Sequence, residues 1–193
     1  MLSYKESLKI LKETDALLEG HFILSSGFHS DKYVQCAKLL SKPKKAEELC
    51  LSLAEKIKEK FKNIDLILSP AIGGIVIGYE IGRILGLETI FAERVNKNFE
   101  LRRGFEIKQG QKILIVEDVI TTGKSSLECS NLGSKVGGEI LGYACLIDRS
   151  NGKSKIKKQI VSQVEIDIPT YKQEDIPKHL KDKKATKPGS RNL

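Results

Sequence analysis

The sequence predicts an α/β protein in which a mostly parallel, twisted sheet is flanked by helices. Three observations carry that prediction. Apolar strand-like runs and helix-periodic stretches alternate between residues 43 and 147, an order that gives parallel strands joined by crossover helices. The run at 64–68 is almost wholly apolar, as a strand covered on both faces must be. Gly74, Gly78, Gly82 and Gly86 recur at every fourth position, so one smooth helix stripe can lie close against a sheet. A length of 193 residues fits one sizeable core. We divide it into an N-terminal part (1–42), an α/β core (43–168) and a basic C-terminal extension (169–193).

Residues 2–18 carry Leu8, Ile10, Leu11, Leu17 and Leu18 at helical spacing, ending before Gly20. HFILSSGFHSDKYVQC, 21–36, sets two short apolar runs around a Ser-Gly turn and reads as a small hairpin-like unit. Pro43 suits a first helical turn, and Ala46, Leu49, Leu53 and Ile57 then continue a helix to about Phe61. After the strand at 64–68 and SPAIGG, the glycine-striped helix runs to Gly86, a natural C-cap. A strand is expected at 89–92, and the charged ERVNKNFELRRG that follows lacks a clear period. KILIVED leads from a strand into a helix at 124–136, a further strand covers 139–147, and 160–164 adds an edge strand.

Composition excludes several classes. Hydrophobic residues at 40% and charged residues at 30% are ordinary for a folded, soluble chain. No apolar run reaches the ~18 residues needed to span a bilayer, and the N-terminus lacks a signal-peptide core, so a cytoplasmic protein without a membrane partner is expected. Cys36, Cys50, Cys129 and Cys145 form no CxxC pair and read as buried free thiols. Of the net charge of +8, most belongs to 153–193, which holds 11 Lys and Arg against 5 Asp and Glu. No aromatic stacking motif accompanies that segment, so we read a solvated extension and no nucleic-acid partner.

Ligands of such sheets bind at the carboxyl ends of the strands. Three segments compete for that edge: SPAIGG, the charged 93–104, and VEDVITTGKSS at 116–126. The last contains GKS, the close of a triphosphate loop, which needs a glycine where this chain has Asp118. The carboxylates of Glu117 and Asp118 would repel a triphosphate held that way. A phosphorylated sugar suits every residue better. The N–H groups of Thr122, Gly123, Lys124 and Ser125, with the hydroxyls of Thr121 and Ser125, can hold one phosphate monoester at a helix N-terminus. Glu117 and Asp118, one step back, can accept hydrogen bonds from vicinal sugar hydroxyls.

KILIVEDVITTGKS, 112–125, resembles the phosphoribosyl-pyrophosphate motif of the type I phosphoribosyltransferases. The resemblance implies that family's fold and a sugar-diphosphate site over Glu117, Asp118, Val119, Ile120, Thr121, Thr122, Gly123, Lys124 and Ser125. It implies Mg2+ as cofactor, carried by the diphosphate and reaching Asp118 through water, with no direct protein ligand. The wider pattern is similar to the orotate phosphoribosyltransferases of that family. FILSSGFHSDKYV, 22–34, matches their N-terminal signature, and LIDR, 146–149, matches the strand end whose arginine meets the base. By this resemblance the N-terminal unit is a hood over orotate, with Ser25, Tyr33, Val34, Thr121 and Arg149 as the orotate-binding set. A guanidinium forms a directed pair with an orotate carboxylate, which a purine lacks.

The same resemblance makes Ala71, Ile72 and Gly73 part of a pyrophosphate loop and 93–104 a lid. The lid would bring the catalytic cations Arg94, Lys97, Arg102 and Arg103 to the leaving diphosphate, beside Asp118 and across a homodimer interface. The implied reaction moves the phosphoribosyl group to N1 of orotate, giving orotidine 5′-monophosphate and pyrophosphate in de novo pyrimidine (UMP) biosynthesis. Two departures stand out. Many members carry lysine where this chain has Ser25 and again where it has Gly73, so two cations expected near the diphosphate are missing. The alternatives are a purine phosphoribosyltransferase, which has no use for Arg149 and the hood, and a non-catalytic regulator that binds phosphoribosyl pyrophosphate. On residues alone, 93–104 also reads as a charged solvated loop.

Overall fold

The computed structural model describes residues 1–24 and 26–188, so Ser25 and the last five residues of the expected tail lie outside the described residues. Helix α1 (Tyr4–Glu13) starts at a capping box, in which Ser3 N–H donates to Glu6 Oε2 at 2.7 Å and Glu6 N–H donates to Ser3 Oγ at 3.3 Å. It stops well short of the expected residue 18. Thr14 Oγ1 bonds back to the Ile10 carbonyl at 2.8 Å, Asp15 takes a left-handed φ of 58°, and Leu17 and Leu18 enter strand β1 (Leu17–Ile23) instead. Two adjacent leucines do not distinguish helix from strand, and the reversal at Asp15 decides it.

Strand β1 pairs antiparallel with β2 (His29–Val34), the expected hairpin. Short α2 (Cys36–Leu40) leads to α3 (Pro43–Lys60), β3 (Leu66–Pro70), α4 (Gly73–Leu85) and β4 (Glu88–Val95). The charged segment then folds back as β5 (Asn98–Leu101), and β6 (Lys112–Ile120), α5 (Lys124–Lys135), β7 (Glu139–Asp148) and β8 (Ile160–Glu165) complete the core. The main sheet has the order β5-β4-β3-β6-β7-β8, parallel except for β5, which runs against β4. This is the expected α/β class.

Alternation along the strands sorts the core onto the two faces. Leu114 and Val116 join the layer built with α3 and α4, whereas Ile113 and Ile115 join the layer under α5. Helix α4 lies close on the sheet because its glycines leave room: a Cβ at Gly78 would land on Ser69 Oγ, and one at Gly82 on Thr89 Oγ1. All four cysteines are free and buried.

The expected solvated extension is a correction. Residues 169–188 wrap back over the hairpin: Tyr171 and His29 exchange two backbone hydrogen bonds at 2.8 Å, and Thr186 pairs with β1. Helix α6 (Lys178–Lys181) buries Leu180 completely. Its lysines point to water while its few apolar side chains and backbone groups dock, a pattern that charge counting alone hides.

Candidate active site

Strand order reverses between β3 and β6: the chain proceeds outward to β4 on one side and to β7 on the other. Loops diverge at such a switch point and leave a crevice beyond the strand ends. A cleft of about 1220 Å³ opens there, larger than the ~300–1,000 Å³ of pockets for one small ligand. The space suits two reactants.

The floor is the end of β6. Glu117 Oε2 accepts a hydrogen bond from Ser126 Oγ of α5, and Asp118 Oδ1 accepts one from the Val119 N–H at 2.9 Å. Burial pushes Glu117 up to about 7, opposed by the Ser126 hydrogen bond and helped by Asp118, and burial also raises Asp118. Among the described residues neither acid has a salt-bridge partner. Two half-buried carboxylates without a cation are poised for donors from a ligand.

Beyond them, Gly123 takes a φ of 75° at the start of α5, where a Cβ would sit 2.8 Å from Ile156 Cγ1. Only glycine fits that turn. Among the described residues no acceptor meets the N–H groups of Thr122, Gly123 or Ser125, so the helix start keeps free donors for a phosphate. Thr121 and Val119 line the cleft, whereas Ile120 is buried and neither it nor Thr122, Gly123, Lys124 or Ser125 belongs to the lining.

Across the crevice, Ala71, Ile72 and Gly73 follow β3 and line the opposite wall, with a cis peptide between Ala71 and Ile72. Gly73 explains one departure from the family pattern. A Cβ there would lie 2.9 Å from both carboxylate oxygens of Asp118, so no side chain fits without displacing the acid.

The segment read as an aperiodic lid is the β4–β5 hairpin. Its cations are tied to carboxylates: Arg94 to Glu128 at 2.6 Å, Arg102 and Arg103 to Glu93 at 3.3 and 2.5 Å. Arg94 also lies 4.2 Å over the Phe99 ring. Arg94 and Arg103 reach the cleft wall, but Lys97 sits at the hairpin tip with a φ of 72° and neither it nor Arg102 lines the cleft.

Tyr33 and Val34 of the hood close the third side, with Arg149 below them. Its N–H donates to the Ile120 carbonyl at 2.8 Å, locking the end of β7 to β6. The Arg149 Nε is buried without a hydrogen-bond partner, and burial lowers the guanidinium's pKa. Arg149 lines the cleft, and a buried charged donor left without a partner is costly unless an anion completes the group. Sequence reasoning missed Gln35 and Phe91, which also line the cleft, and Lys187 and Pro188. Gln35 directly follows the Tyr33-Val34 pair and was within reach; Lys187 arrives from the other end of the chain and had no local signal.

Two half-buried acids, a helix start with free N–H donors and a buried guanidinium thus meet at one cleft, a set with the chemistry to receive a phosphorylated sugar beside an anion. Comparison with known proteins agrees. A family model described as the phosphoribosyl transferase domain matches residues 38–181. The orotate phosphoribosyltransferase of Rhizorhabdus wittichii is 45% identical, over 97% of this chain and 96% of its own. The structure of orotate phosphoribosyltransferase from Aeropyrum pernix superposes with a TM-score of 0.72 at 22% identity, covering 82% of this chain and 92% of that one. An adenine phosphoribosyltransferase from Saccharomyces cerevisiae reaches 0.66 at 19% identity over 81% of this chain and 99% of its own, a likeness of fold alone. The chain belongs to the phosphoribosyltransferase family, in its orotate phosphoribosyltransferase branch.

Proposed function

We propose that this chain transfers the 5-phosphoribosyl group from phosphoribosyl pyrophosphate to N1 of orotate, forming orotidine 5′-monophosphate in pyrimidine (UMP) biosynthesis. The observation that carries this reading is Arg149: its buried, unpartnered Nε beside Tyr33 asks for an anionic base, and orotate brings a carboxylate.

In the reaction the N1–C1 bond forms as the C1–oxygen bond to pyrophosphate breaks, with inversion at C1, and the N1 proton passes to solvent or to the departing pyrophosphate. Positive charge builds on the ribose and negative charge on the leaving group. The helix-start N–H groups of α5 hold the 5-phosphate, and Glu117 and Asp118 hold the ribose hydroxyls. Arg94 and Arg103 exchange their carboxylate partners for the diphosphate as the hairpin closes, which also excludes water. No protein nucleophile is required.

Among the described residues no cluster of three His, Cys, Asp or Glu side chains could hold a metal. The hard carboxylate oxygens of Glu117 and Asp118 fit Mg2+ arriving on the diphosphate and met through water. When bound, Mg2+ neutralises charge on the leaving group.

Ile72, Val76 and Tyr79 leave 85%, 51% and 66% of their surface exposed along one face of α4, beside the cleft. That stripe supports a homodimer in which a second copy covers α4 and brings its own hairpin near the site. The four free, buried thiols support a cytoplasmic enzyme; among the described residues no helix is long and apolar enough to cross a membrane.

One assay tests the reading. The purified protein with phosphoribosyl pyrophosphate and Mg2+ is expected to consume orotate, seen as loss of its ultraviolet absorbance. Consumption of a purine alone, or of neither, overturns it.

A further inference from the structure

We propose that residues 183–188 form an active-site strap that carries Lys187 into the base half of the cleft, where its ammonium pairs with the anionic group of the base. The proposal rests on the orotate reading and adds a second cation to Arg149.

The path of the chain is the first argument. Thr186 N–H donates to the His21 carbonyl at 2.9 Å and Ile23 N–H donates to the Thr186 carbonyl at 2.8 Å. The strap thus adds a parallel bridge at Phe22, on the edge of β1. Its next two residues, Lys187 and Pro188, line the same cleft as Tyr33, Val34 and Arg149.

A buried histidine pair holds it there. His21 Nδ1 lies 3.0 Å from the Lys183 carbonyl, which can only accept, so Nδ1 carries the proton. In the neutral ring, His21 Nε2 then accepts from His29 Nδ1–H at 2.7 Å. With Tyr171 paired to His29 as well, the segment is tied to both strands of the hood. Whatever moves the hood moves Lys187.

Charge supplies the remaining argument. Arg94 and Arg103, the other cations on the cleft wall besides Arg149, belong to the hairpin side. The strap supplies positive charge on the hood side, where the base lies. It also falls beyond residue 181, where the family model ends, whereas the R. wittichii relative aligns over 97% of the chain. The hood strands and the strap both lie outside the residues that the family model matches.

The test is Lys187→Met, which keeps the stem of an exposed side chain and removes only the charge. We expect the KM for orotate to rise about tenfold, the KM for phosphoribosyl pyrophosphate to change less than about twofold, and the unfolding midpoint to stay put. Lys187→Arg should recover most of the loss. Thr186→Pro, which deletes the N–H that binds His21, should reproduce the orotate effect. An unchanged orotate KM in Lys187→Met, or a rise confined to phosphoribosyl pyrophosphate, overturns the strap. Turnover by the unaltered protein tests the orotate reading; the ratio of variant to unaltered protein tests the strap.

Discussion

The β6–α5 turn and the β4–β5 hairpin both border the cleft and solve opposite electrostatic problems. In the turn, Glu117 and Asp118 are half-buried acids with no salt-bridge partner among the described residues. In the hairpin, Arg94, Arg102 and Arg103 are cations already matched to Glu128 and Glu93, with 37%, 58% and 62% of their side chains exposed. The Arg94–Glu128 pair is open enough to solvent to contribute only about 0–1 kcal/mol, so a diphosphate can take Arg94 over at little cost, whereas Glu93 is only 17% exposed and gives up its arginines at a higher one. The sugar end is preorganised, and the diphosphate end is held in reserve.

If that contrast is right, the largest loss comes from disturbing the preorganised side. Asp118→Asn keeps the shape and removes the charge to which, in the proposed function, ribose hydroxyls donate. The KM for phosphoribosyl pyrophosphate is expected to rise about 30-fold, the value of a charge-assisted hydrogen bond near 2 kcal/mol, with the unfolding midpoint unchanged or raised because a desolvated charge is gone. Equal kinetics in the variant would remove the hydroxyl-binding role. Gly73→Ala attacks the same acid from the other wall. Its Cβ, 2.9 Å from both carboxylate oxygens, must push Asp118 aside, and a loss of about tenfold in kcat/KM is expected with little change in stability. A fall in stability matching the fall in activity would mean the backbone, rather than the carboxylate, had moved.

The two regions also differ in how far the sequence exposes them. The turn is local: an apolar run, two acids, Gly123 and a helix start follow one another between Lys112 and Lys135, and each leaves its mark within a few residues. The hairpin is not. Asn96 and Lys97 both take positive φ, 47° and 72°, and Val95 pairs with Asn98 across them, a two-residue turn without the glycine that usually announces one. Charged side chains on both strands then erase the alternation. The strap was hidden for a different reason, since Thr186 meets His21 only in three dimensions. Gly73 was visible as a missing cation, but its cause, the carboxylate of Asp118 facing it, belongs to the packing.

A third test uses pH. Glu117 has its pKa raised to about 7 by burial, from an ordinary value of 4.5. Between these values the folded empty protein holds a proton that the unfolded chain has lost, so this group's contribution to stability is full below pH ~4.5 and is lost as pH rises through about 7. Sugar hydroxyls prefer the ionised acid, so binding of phosphoribosyl pyrophosphate near pH 6.5 should release protons from the enzyme. Calorimetry in buffers of different ionisation heat measures that release, and Glu117→Gln should reduce it. No difference between the two proteins would mean that Glu117 does not lose a proton to the ligand.

The smallest effect is expected on the side held in reserve, and it has the opposite sign. Glu128→Gln weakens the partner that occupies Arg94 without touching the cleft wall. Because an exposed pair contributes at most about 1 kcal/mol, freeing the arginine should lower the KM for phosphoribosyl pyrophosphate by no more than about fivefold, and raised salt should shrink the difference between the two proteins. A higher KM would show that Glu128 positions Arg94 for the diphosphate instead of holding it back. In that case the hairpin, like the turn, would be built in advance of its ligand, and the contrast between the two regions would fail.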